Sequence, residues 1–150
     1  MKAGGLQYDI IYLDILKSGI LFIVSPDKET FLKNISRLIH KEIIDKQHQG
    51  ELIKDLIDCF SKDKVLYPGT TFETFTADST QYLFVVLREE LKDSDSTLVH
   101  EMYHVVYKLF KERGIEDEEV IAYTLEYLFS EGRNLLEKFK KKESSLHNNK

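Results

Sequence analysis

The sequence contains no tryptophan, one cysteine and two prolines in 150 residues. A lone cysteine, Cys59, excludes an internal disulfide, and a chain that folds without one is expected in a reducing compartment, the cytoplasm. Its setting, Leu56-Ile57-Asp58-Cys59-Phe60, reads as that of a small core residue rather than a nucleophile. Positive charge is also in short supply. The formal net charge is −5, which argues against a nucleic-acid partner, because neutralising phosphates takes clustered Lys and Arg. Long hydrophobic runs are missing too. The apolar stretch 10–24 is interrupted by Asp14 and Lys17, is too short and too charged for a membrane span, and lacks a signal-peptide layout. No internal repeat is evident.

The length and apolar content suit one domain with a real core, expected over residues 1–137. A basic, disordered tail is expected over 138–150, where Lys138, Lys140, Lys141 and Lys142 precede a polar end. Met1 to Gly5 read as a loose start. Residues 8–16 read as a strand, with a short helix fitting nearly as well. Gly19 is expected to turn the chain into the β-rich run Ile20-Leu21-Phe22-Ile23-Val24. Ser25-Pro26 then opens a helix, with Ser25 as cap and Pro26 in the first position. Phe31, Ile35, Leu38 and Ile39 carry it at helical spacing to about Lys46. His40 and His48 have no paired ligand spacing and read as exposed residues. A second helix over 51–61 follows, then a turn at Tyr67-Pro68-Gly69. Two strands, 70–76 and 81–88, form a hairpin across Ala77-Asp78-Ser79-Thr80.

The chemistry is concentrated in Leu98-Val99-His100-Glu101-Met102-Tyr103-His104-Val105-Val106, which carries H-E-x-x-H. On a helix, residues four apart share a face, one turn above the other. His100 and His104 can therefore hold one metal ion between them, and Glu101 is placed to take a proton from a water at that ion. The alternative is a solvated stripe made by His100, His104 and Lys108. Against it stand Leu98, Val99, Met102, Tyr103, Val105, Val106, Tyr107, Leu109 and Phe110. They leave only a narrow polar strip, and a helix apolar nearly all round is expected to be buried. The run Asp93-Ser94-Asp95-Ser96-Thr97 supplies several possible N-caps for this helix.

Zinc takes a third protein ligand and leaves one position open for water. Gly114 ends the helix as a C-cap glycine would. The next helix begins in acidic residues suited to its dipole. Glu119 and Glu126 lie seven apart on one face of it. Antiparallel folding about Gly114 favours Glu126 as third ligand, a wider turn favours Glu119, and spacing alone leaves both open.

These motifs resemble those of gluzincin-type zinc metallopeptidases, with H-E-x-x-H on one helix and a glutamate ligand on the next. In many small members that glutamate begins an E-x-x-A pattern running on to a tyrosine. Glu119-Val120-Ile121-Ala122-Tyr123 matches it and Glu126 does not. Residues 100–128 further resemble small metallopeptidase-like proteins of phages and mobile elements. The resemblance covers about the last third of the chain. It implies a zinc site of His100, His104 and Glu119, with Glu101 as general base in peptide hydrolysis and a peptide or protein as substrate. Tyr123, one turn from Glu119, is the first candidate for stabilising the oxyanion.

The architecture expected is α+β: a small antiparallel sheet or hairpin packed on a zincin-like helix pair, with two N-terminal helices. An extended substrate could pair along the hairpin edge. Two other functions stay open, a catalytically silent metal-stabilised interaction module and a metal-free helix pair that serves a partner.

Overall fold

The computed structural model describes residues 2–3, 5–42, 49–61, 69–75, 80–89 and 93–148. The fold is α+β, and the chain divides into two compact units, Met1–Leu91 and Lys92–Lys150.

The first unit is a five-stranded sheet with two helices. In chain order these are β1 (Lys2–Ala3), β2 (Leu6–Leu13), β3 (Ser18–Ser25), α1 (Lys28–Glu42), α2 (Gln49–Ser61), β4 (Gly69–Phe75) and β5 (Gln81–Arg88). The strand order is β1-β2-β3-β5-β4. The two strands of the expected hairpin pair antiparallel, with Gly69 opposite Leu87 and Phe75 opposite Gln81. The sheet as a whole is mixed, not antiparallel as expected. β3 runs parallel to β5 from Ser18↔Gln81 to Ser25↔Arg88, and the return connection holds α1, α2 and β4. A parallel pair requires such a crossover. Strands buried on both faces read as continuous apolar runs, and all eight residues of β3 are buried.

One face of the sheet packs against α1. Leu6 and Tyr8 of β2, Leu21 and Ile23 of β3, and Phe84 and Val86 of β5 alternate onto it. There they meet Phe31, Ile35, Leu38 and Ile39, the helical stripe read from the sequence, and Leu52 of α2. Tyr8 is fully buried, and its hydroxyl donates to Glu42 Oε1 at 2.6 Å.

Several local expectations are corrected. Within the stretch expected to be a loose start, Lys2 and Ala3 form a short strand and pair with Gln7 and Leu6. The strand expected over 8–16 stops at Leu13, and Asp14–Leu16 form a 3-10 turn. The chain reverses at Lys17, which adopts the left-handed region at φ 47°, and not at Gly19. Gly19 lies within β3, where a Cβ would sit 3.1 Å from the Tyr82 ring. Its smallness makes room for a neighbour instead of a turn. The cap of α1 is Asp27, whose Oδ1 accepts the Thr30 N–H at 2.7 Å. Pro26 and Ser25 precede it, and the Ser25 hydroxyl donates to the Asp27 carbonyl. The side chain of Cys59 lies outside the described residues, as do His48, Tyr67, Pro68 and residues 77–79.

The second unit holds α3 (Asp95–Lys111) and α4 (Glu118–Asn148), which pack together. α4 passes unbroken through residue 137, so Lys138 to Lys142 are helical where a disordered tail was expected. No helix among the described residues is long and apolar enough to cross a membrane.

The Tyr8–Glu42 bond gives a pH test. Burial first, then the Glu42 carboxylate, raises the Tyr8 pKa above its ordinary value. A phenol with a raised folded pKa contributes stability that is complete below about pH 10 and is lost as pH climbs beyond it. Tyr8→Phe should lower stability by about 1–2 kcal/mol at pH 7. Urea unfolding from pH 8 to 11 checks the coupling: the wild type should lose its advantage over the variant as the pH rises. A constant gap across that range would contradict it.

Candidate metal centre

α3 is positioned at both ends. Ser94 caps its start, accepting the Thr97 N–H at 3.3 Å. At its far end Gly114 takes φ +63°, and the Ile115 N–H closes back on the Phe110 carbonyl at 3.1 Å. This is the αL ending that glycine allows, and it turns the chain toward α4. Asp117 caps α4 by accepting the Val120 N–H at 3.1 Å. The helices run antiparallel. Arg133 of α4 pairs with Asp95 at the start of α3, and Lys140 lies 3.8 Å from Asp93.

On this frame the H-E-x-x-H residues separate. Leu98, Met102, Val105, Val106, Leu109 and Phe110 are buried, and Glu101 is buried with them at 4% exposure. The two histidines lie at the edge of the opposite face, His100 exposed and His104 half-buried. Their Nε2 atoms are 3.1 Å apart, with the rings edge-on at 4.8 Å between centroids. Glu101 Oε1 stands 4.0 Å from His100 Nε2. As neutral imidazoles the two rings share one N–H···N bond, one ring donating and the other accepting.

The expectation that this helix is buried nearly all round is corrected. Val99, Tyr103 and Tyr107 are exposed at 40%, 53% and 53%. Their spacing of four places them in a row beside the histidines, a signal present in the sequence but read there as core. Tyrosine tolerates such a position because its hydroxyl stays wet while its ring covers apolar surface. Near the Gly114 turn, Tyr103, Tyr107, Phe110, Ile115 and Ile121 line a cleft of about 390 Å³.

Glu119 and Tyr123 take no part in this geometry. Both are exposed, Tyr123 at 67%. Leu128, which is buried, lies half a turn around α4 from Glu119, so Glu119 projects from the outer side. Glu126 is exposed as well. Among the described residues no three His, Cys, Asp or Glu side chains gather into a group able to hold a metal. The structure thus brings together His100, His104 and Glu101, and leaves the third ligand apart. Arg133, which ties α4 to the start of α3, had no signature in the sequence.

No family model, curated protein or solved structure matches the chain.

The donor set can be tested for fit. Zinc–nitrogen bonds of about 2.0–2.1 Å in a tetrahedron separate two ligand nitrogens by about 3.3 Å. The Nε2 pair is already at 3.1 Å, so both rings suit one ion with a small outward adjustment. Purified protein incubated with zinc should retain it through gel filtration. His100→Ala and His104→Ala should each weaken retention at least tenfold, since removing one of few ligands forfeits much of the binding energy. Retention unchanged in the double variant would rule out this pair as the site.

Proposed function

We propose that the protein is a zinc-dependent metallopeptidase acting on a peptide or protein substrate. The observation that supports this most directly is the 3.1 Å approach of His100 and His104 Nε2 beside the buried Glu101 carboxylate. His100 and His104 would hold zinc as neutral imidazoles; the resemblance adds Glu119 as third ligand, which requires α4 to turn its outer side toward the pair when zinc binds. Bound zinc supplies Lewis acidity toward the scissile carbonyl and the attacking water. Glu101 accepts a proton from that water as its oxygen bonds to the carbonyl carbon. The same carboxyl returns the proton to the amine as the C–N bond breaks. Burial holds Glu101 in one place, which suits a proton carrier that must work twice. The same movement of α4 would bring Tyr123, one turn from Glu119, to donate to the carbonyl oxygen as charge develops on it.

The separation of Glu119 from the histidines supports a second reading, a metal-binding interaction module without hydrolysis. Two substitutions discriminate. Glu101→Gln keeps the ligands and removes the base. Under the peptidase reading, zinc content stays level while cleavage of an unstructured protein substrate falls about 100-fold or more. Equal cleavage by variant and wild type, or none by either, would leave the module reading in its place.

The ligand assignment has its own test. Glu119→Ala should weaken zinc binding strongly and Glu126→Ala should leave it nearly intact, as read by competition with a chromophoric chelator. The reverse order would transfer the role to Glu126.

A further inference from the structure

We propose that two copies of this chain share one zinc ion through His100 and His104 of each. This rests on the reading that the pair binds zinc, and not on peptide hydrolysis.

The first ground is what the pair lacks. Among the described residues no acid joins the two histidines in a metal-holding group, yet zinc takes four ligands. The second is the shape of what is present. Two nitrogens 3.1 Å apart form one edge of a zinc tetrahedron. Opposite edges of a tetrahedron are related by a two-fold axis through its centre. A two-fold axis is also the commonest symmetry of protein oligomers, each copy offering the same patch. One edge from each copy therefore completes the coordination with no further residue.

The third ground is access. The His100 side chain is 68% exposed, so a second molecule can reach it. The surface beside it suits association. Val99, Tyr103 and Tyr107 form an exposed apolar and aromatic row on the same side of α3. Opposite edges of a tetrahedron lie at right angles, so the two α3 helices cross steeply and contact is confined to the residues around the pair. Lys111 stands at the far end of the row, over the Tyr107 ring at 5.7 Å, away from the crossing point. Coordination bonds rather than buried area carry the association, and a short crossing suffices.

The consequence is regulatory. Four imidazoles fill the tetrahedron and leave no position for water. The shared form is a resting state, favoured when zinc is scarce relative to protein. Excess zinc loads each copy separately, with two imidazoles on each ion and water in the remaining positions.

Stepwise addition of zinc chloride to the metal-free full chain, with mass read by light scattering, tests this. The dimer fraction should peak at about one zinc per two chains and decline toward one per chain. Tyr103→Arg retains all four imidazoles but sets like charges against each other across the crossing. It should bind zinc as a monomer at about one per chain. His100→Ala should remain monomeric at every ratio, with far-ultraviolet circular dichroism confirming its helices. A monomer binding one zinc per chain from the first addition would overturn the shared site and leave the zinc reading standing. A dimer that persists in His100→Ala would equally overturn it. Absence of zinc binding at any ratio would overturn both.

Discussion

β3 is the constraint on which the first unit depends. It pairs on both sides, antiparallel to β2 over residues 18–24 and parallel to β5 over 18–25. All eight of its residues are buried. A strand in that position has no polar face, and Ile20-Leu21-Phe22-Ile23-Val24 has none. The parallel partner then dictates connectivity. The chain must leave the sheet after Ser25 and return at Gln81 in the same direction, and α1 occupies the route while covering one sheet face. Swapping a central residue such as Phe22 for a charged one would strand that charge without water on either side.

In the second unit the governing constraint is helical periodicity. At 100° per residue, Glu101 and His100 fall on different sides of α3 even though they are neighbours in sequence. The same rotation that unites His100 with His104 sends Glu101 into the apolar side. Because the apolar side of α3 is the covered one, the carboxylate is buried while the imidazoles stay near the surface. The α3 caps and the Arg133–Asp95 pair then fix where along α4 this constellation lies.

The sequence made the helices of both units legible because their stripes and breakers agree. Phe31, Ile35, Leu38 and Ile39 point to one face, and Gly114 takes the αL position expected of it. The pairing of His100 with His104 was legible for the same local reason. What escaped was non-local. Nothing in β3 or β5 alone states that they run parallel, because a buried parallel strand and a buried antiparallel strand share one apolar pattern. The side of α4 that carries Glu119 depends on how the helices pack, and E-x-x-A spacing does not encode that. Tyr103 and Tyr107 misled because tyrosine serves equally in a core and on a surface.

Gly19 and Tyr82 lie directly opposite each other across the parallel pair, with the ring occupying the space a side chain at 19 would need. The two positions are therefore packed tightly enough that a Cβ at 19 would come 3.1 Å from the ring. A methyl group at 19 has to displace aromatic carbons, whereas the same methyl with a smaller residue at 82 does not. Single replacements at position 19 meet resistance that paired replacements escape, so change at this point of the sheet is expected to proceed in reciprocal steps. Neither residue's tolerance is a property of that residue alone.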